Sequence, residues 1–289
     1  MIELCTDIPI RAYHSLKQTH REECAMKKWF IYCALLIVLT CSVFAEGTGT
    51  QPKIKSLGLE APKQILFVGN SYFYYNNSLH NKVLALAKEA DPQNANQYQY
   101  KSVTISGAYL AHHDVASYMK KGAFGYKKPF DVVILQGNSS EQMTKEKREA
   151  FLKTVKEYDA LIRATGAKTV LFMTWAYTPK NPEYNPNMTE MNREGYTEAG
   201  NAINALVIPV GIAFEEAYKR RPGIKLQKEY DGSHPDVYGS YLAACVVYTS
   251  LYGKSPVGLT YDDYGTVDKE TAHFLQTVAW DTVQKYYGR

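Results

Sequence analysis

Five short, nearly continuous apolar runs, spaced by helical patterns and polar turns, constrain this chain more than any other feature. They are 64–68 (QILFV), 100–105 (YKSVTI, the weakest), 131–135 (DVVIL), 168–173 (KTVLFM) and 205–210 (ALVIPV). A strand that is apolar along its whole length has both faces buried, as parallel strands do when helices cover the sheet. Apolar residues recur at helical spacing over 79–90, 144–165, 237–251 and 269–287. This succession predicts an α/β protein, doubly wound, with a three-layer α/β/α sandwich around a five-stranded parallel sheet. Segment 177–189 (YTPKNPEYNPNMT) carries three Pro and several Asn. It is too rich in breakers for a helix or strand and reads as an irregular insertion, often a functional loop or lid.

The front of the chain reads as targeting sequence. Met26-Lys27-Lys28 precedes the apolar run 29–45 (WFIYCALLIVLTCSVFA). A short basic start, an apolar stretch, and Val43 and Ala45 at the −3 and −1 positions describe a secretory signal peptide over 26–45. The run is shorter than the roughly 20 residues of a membrane span. A retained anchor helix and lipidation at Cys41 are the alternatives; Thr40 is a poor residue before a lipidated Cys. Residues 1–25 lie ahead of a complete signal and read as an upstream extension. Residues 46–62 read as a linker, which leaves one domain over 63–289. The expected location is secreted or periplasmic, with no stable membrane insertion after signal cleavage.

Lys and Arg number 33 against 29 Asp and Glu, a formal net charge of +4, and no long basic run occurs. That balance carries no nucleic-acid footprint. Four of the five Cys lie before residue 46, and only Cys245 follows. A lone Cys in the domain excludes an internal disulfide and a Cys-cluster metal site there. Its apolar neighbours (YLAACVVY) mark it as a buried structural thiol and not a nucleophile.

Ligands in an open parallel sheet bind beyond the carboxyl ends of the strands. Gly69-Asn70-Ser71 follows the first predicted strand, Ser106-Gly107-Ala108 the second and Gln136-Gly137-Asn138 the third. Asp231-Gly232-Ser233-His234-Pro235 precedes a helix further on. A Ser hydroxyl needs an adjacent base to become a nucleophile. His234 can supply it, and Asp231, three residues earlier, can hold the imidazole Nδ1–H. The backbone N–H groups of Ser71 and Gly107 and the Asn138 side-chain amide suit an oxyanion. Each motif alone is weak; their joint occurrence at strand ends is specific.

On these residues the chain resembles the SGNH (GDSL-type) hydrolases. ILFVGNSYFYY resembles the nucleophile block, the Gly107 turn the second block, LQGNS the third and DGSHP the Asp-x-x-His block. The resemblance spans about 62–289. It implies a flavodoxin-like sheet, hydrolysis of esters, often acyl groups on carbohydrates or lipids, and no metal or organic cofactor. Position by position it implies Ser71 as nucleophile, His234 as base and Asp231 as its orienter, with Ser71, Gly107 and Asn138 as oxyanion hole. Two positions depart from the family pattern. Asn70 stands where Asp is usual, and Gln136 where Gly is usual. Some carbohydrate esterases that resemble this family place an oxyanion Gln in such a Gln-Gly pair, so Gln136 and Asn138 both stand as candidate donors.

The expected substrate is an O-acyl group, O-acetyl first, on a glycan or small molecule. A lipid ester and a non-catalytic glycan-binding role are the alternatives. Tyr72, Tyr74 and Tyr109 are the candidate substrate contacts. His112-His113-Asp114 invites a metal site, but adjacent His residues rarely face the same way and no third His stands at ligand spacing.

Overall fold

The computed structural model of the protein describes residues 49–289. All five predicted strands form: β1 (Gln64–Gly69), β2 (Gln99–Thr104), β3 (Val132–Leu135), β4 (Lys168–Phe172) and β5 (Leu206–Ile208). They make one wholly parallel sheet in the order β2-β1-β3-β4-β5. Every residue of β3 and β5 is buried, as helices on both faces require.

The helices are α1 (Ser71–Tyr74), α2 (Leu79–Ala90), α3 (Val115–Tyr118), α4 (Lys145–Arg163), α5 (Met188–Ile203), α6 (Val210–Arg220), α7 (Val237–Tyr252) and α8 (Lys269–Tyr287). Helix α7 packs against α2 and α8, with α6 against α7 and α8, while α4 packs on α5 and β4. These two groups give the three-layer α/β/α sandwich. Helix α7 is buried without a break from residue 239 to 251, and its sequence is correspondingly apolar all round. Cys245 sits in that helix with no accessible surface, and burial raises its thiol pKa far above the ordinary range.

Side chains fix several helix starts. Thr144 accepts from Lys147 N–H, Asp236 from Val237 N–H and Asp268 from Thr271 N–H. Beneath α2, Lys82 and Asp263 form a buried ion pair, 1% and 7% exposed at the side chain.

Three sequence expectations change. The insertion is irregular only to Asn187, because α5 begins at Met188. Helices α5 and α6 were not anticipated. Segment 50–62 lacks regular structure, yet it is packed onto the domain and is no free linker. Leu57 is buried, the Leu57 carbonyl accepts from Lys168 Nζ at 2.7 Å, and Lys53 N–H donates to Asn201 Oδ1 at 2.7 Å. The compact unit accordingly begins at Thr50. The expected signal peptide and Cys41 lie outside the described residues. Among the described residues no helix is long and apolar enough to cross a membrane.

Candidate active site

Neighbours of β1 lead in opposite directions across the sheet, to β2 on one side and to β3, β4 and β5 on the other. The carboxyl ends of β1 and β3 therefore border the crevice where such sheets bind ligands. Residues 69–71 leave β1 there and residues 136–138 leave β3.

Ser71 is the first residue of α1 and is 7% exposed. Asn70 caps the helix by accepting from Tyr72 N–H at 3.2 Å. The turn at 231–235 arrives from the far side. Gly232 sits at φ +62°, in the left-handed region, and a Cβ there would collide with Thr178 Oγ1. The Gly232 carbonyl accepts from Thr178 N–H at 2.9 Å and from Gln227 Nε2 at 3.1 Å. The insertion thus clamps the turn that carries the histidine.

That clamp places His234 Nε2 2.8 Å from Ser71 Oγ and His234 Nδ1 2.5 Å from Asp231 Oδ2. Asp231 Oδ1 accepts the backbone N–H of Ser233 at 2.8 Å and of His234 at 3.0 Å. Burial disfavours the Asp231 carboxylate, but these donors and the imidazole outweigh it and hold the carboxyl below its usual pKa. An ionised Asp231 fixes the Nδ1–H tautomer and leaves Nε2 to accept the serine proton.

The three predicted oxyanion donors also border the crevice. The backbone N–H groups of Ser71 and Gly107 donate to no protein acceptor. Gly107 sits at φ +65°, and a Cβ there would have no heavy atom within 4 Å. The left-handed backbone, and not a lack of space, is what favours glycine there. Asn138 is half-buried; its Nδ2 donates to the Gly107 carbonyl at 3.0 Å and has a second N–H to spare.

Gln136 is placed elsewhere. It is 1% exposed and locked in a reciprocal pair with Asn70. Asn70 N–H donates to Gln136 Oε1 at 3.0 Å, and Gln136 Nε2 donates to Asn70 Oδ1 at 2.9 Å and to the Gly137 carbonyl. Both its amide hydrogens are spent, which removes it from the candidate oxyanion donors. The two departures from the family pattern meet here: Gln136 bonds the backbone N–H and Oδ1 of Asn70, while the Asn70 Nδ2 donates to the carbonyls of Ala108 and Gly137.

The tyrosines divide. Tyr72 is 5% exposed, stacked on Trp175 at 4.2 Å and bonded to Ser233 Oγ at 2.8 Å. It supports the histidine turn from below and is not open to substrate, contrary to expectation. Burial raises its pKa well above the usual phenol value. Tyr74 is exposed, with its hydroxyl on Ser106 Oγ at 3.1 Å. Tyr109 reaches Ser140 Oγ at 3.3 Å and lies under Lys147. His112 is exposed and accepts from Tyr109 N–H, while His113 is buried, so the two rings share no site.

Sequence reading missed Trp175 and Glu141, and saw Tyr75 only as one of the aromatic residues after the nucleophile and not as a partner of the histidine. The Tyr75 ring stacks on the His234 imidazole at 4.3 Å. Its hydroxyl lies 3.3 Å from the exposed Tyr230, a contact that together with burial pushes its pKa up to about 12. Trp175 Nε1 donates to the Ser233 carbonyl at 2.9 Å. No sequence pattern marks Trp175 or Glu141; their positions follow from loop packing.

No family model and no curated protein matches this chain. Solved structures do. A DUF4886 family protein from Bacteroides uniformis is 18% identical, with TM-score 0.57, over 76% of this chain and 93% of that one. A putative SGNH hydrolase from Slackia heliotrinireducens is 24% identical, with TM-score 0.52, over 65% of this chain and 98% of that one. An acetyl-xylooligosaccharide esterase from Geobacillus, crystallised as a mutant, is 17% identical, with TM-score 0.51, over 69% and 98%. In each case the similarity covers nearly the whole of the other chain. The chain has the fold of the SGNH hydrolases.

Proposed function

We propose that the protein is a serine ester hydrolase working through an acyl-enzyme, with Ser71 as nucleophile, His234 as general base and Asp231 as orienter. One observation carries the reading: the unbroken hydrogen-bonded chain from Ser71 Oγ through both imidazole nitrogens to Asp231. In this account Nε2 takes the hydroxyl proton as Oγ bonds to the acyl carbon. The same proton passes to the alcohol oxygen as the C–O bond breaks. Water then repeats the sequence on the acylated Ser71. The oxyanion forms against the Ser71 and Gly107 N–H groups and the Asn138 amide, each of which has hydrogen-bonding capacity to spare.

The substrate class we assign is an O-acetyl ester on a carbohydrate. Support comes from the exposed Tyr74 and Tyr230, both in contact with the Tyr75 that stacks on the histidine, and from the acetyl-xylooligosaccharide activity named for a similar structure. Export by the 26–45 segment would place this activity outside the cytoplasm. The test is hydrolysis of p-nitrophenyl acetate and of acetylated xylo-oligosaccharide by the protein and by Ser71→Ala. Turnover lost in the variant supports the reading; equal rates in the two proteins overturn it.

A further inference from the structure

Glu141 is a carboxylate with no place in the triad, and it is 3% exposed. It lies three residues after Asn138, on the turn that leaves β3. One oxygen accepts the backbone N–H of Asn138, and the other accepts the backbone N–H of Leu110 at 3.3 Å. Leu110 opens the single helical turn Leu110–His112, three residues after Gly107. A single buried side chain therefore ties together the two loops that carry Gly107 and Asn138. Further bonds run the same way: Asn138 Nδ2 to the Gly107 carbonyl, and Tyr109 to Ser140.

We propose that Glu141 is a positioning residue: its carboxylate, by accepting both N–H groups, sets the spacing of the Gly107 and Asn138 loops and so builds the oxyanion hole. The proposal rests on the esterase reading above. It explains why an ionisable group is buried where a neutral one would cost less. Two backbone donors converge on it, and only a carboxylate offers acceptors to both without a donor of its own. A protonated or amide side chain would turn a donor toward one of the two N–H groups.

Its surroundings make it titrate near neutrality. Burial raises the pKa to about 7, opposed by the two N–H donors and by Lys147 on α4. The other titratable groups that sense it are Tyr196 on α5 and Tyr158 on α4, both phenols held neutral by burial. His113, buried beyond Leu110 on the same turn, has its pKa lowered by desolvation. A raised carboxyl pKa means that the ionised form costs the fold. The stability from this group is present below the ordinary glutamate pKa and is lost as pH rises through about 7. Function and stability thus pull in opposite directions at this residue, and that separates positioning from simple support.

The experiment compares the wild type, E141Q and Ser71→Ala with p-nitrophenyl acetate from pH 5 to 9, together with Tm at pH 8. The expected result is a kcat about 10–100-fold lower in E141Q, with KM little changed and Tm at pH 8 equal or higher. The wild-type acid limb is expected to be steeper than that of E141Q, because protonation of Glu141 contributes to the first and cannot contribute to the second. Wild-type kcat in E141Q, or a loss of kcat matched by a loss of Tm, overturns the proposal. Should E141Q fail to fold, E141D is measured in its place: its shorter arm cannot reach both N–H groups, and a wild-type kcat there overturns the proposal. If Ser71→Ala keeps full activity, the esterase reading itself has failed. If Ser71→Ala is inactive and E141Q is normal, only the role of Glu141 has.

Discussion

The Tyr75 ring lies nearly parallel to the His234 imidazole, with centroids 4.3 Å apart and planes 16° from each other. Tyr74 stacks in turn on Tyr75 at 5.5 Å. An aromatic face against an imidazole holds the ring's orientation and attracts it more strongly once protonated, by about 0.5–1 kcal/mol at an exposed site. Tyr75→Ala should therefore lower kcat by roughly two- to fivefold, while Tyr75→Phe, which keeps the face, should stay near wild type. Steady-state kinetics on the two variants check this.

Asp231 determines which imidazole nitrogen carries the proton. Asp231→Asn keeps the shape of the turn but can donate to Nδ1, which puts the proton on Nε2 and leaves Ser71 without a base. The expected loss is about 10³–10⁴ in kcat, with substrate binding retained. The depressed carboxyl pKa also links Asp231 to stability: its contribution is present above the ordinary Asp pKa and lost as pH falls through the folded value. Acid denaturation of the wild type and Asp231→Asn, followed side by side, should show a shallower loss of stability in the variant.

The Asn70–Gln136 pair and Asn138 should separate cleanly on substitution. Asn138→Ala removes an oxyanion donor and should cost about 10²–10³ in kcat with little change in Tm. Asn70→Asp restores the family's usual residue but destroys this chain's network. Asn70 Nδ2 donates to the carbonyls of Ala108 at 3.1 Å and Gly137 at 3.4 Å, where a carboxylate oxygen would face them instead. We expect a destabilisation of about 1–3 kcal/mol, measured by urea unfolding.

Lys82 and Asp263 are buried together, and Asp263 also accepts from the Tyr261 hydroxyl at 3.0 Å. Lys82→Met removes one charge and strands the other. The expected cost is about 3–5 kcal/mol, with much of it recovered in Lys82→Met/Asp263→Asn. Denaturation midpoints of the two variants test this.

The sheet was legible because β1, β3, β4 and β5 are apolar runs, and the Ser71 turn because a glycine ends the run before it; the Asp231 and His234 turn was legible from its Asp-x-x-His spacing ahead of a helix. Helix α5 was hidden because its buried face includes Asn192, Gly195, Thr197 and Gly200, which blur the helical period. Helix α6 was hidden because it follows β5 after a single Pro209, so that strand and helix read as one apolar stretch. Tyr72 and Tyr74 are two residues apart on one turn of helix and face opposite ways, one into the core and one to solvent. Composition could not tell them apart. Glu141 left no signal either: a charged residue in a polar loop becomes exceptional only when the fold buries it.

The central claim is that Ser71 is an activated nucleophile. Intact-mass analysis after treatment with a fluorophosphonate tests it most directly, because attack by Oγ forms a P–O bond, expels fluoride and passes the serine proton to His234. The account predicts one adduct per chain, mapped by peptide digestion to Ser71, absent in Ser71→Ala and strongly slowed in His234→Ala. A folded wild-type protein that takes up no label, or one labelled at another residue with Ser71 untouched, would contradict it.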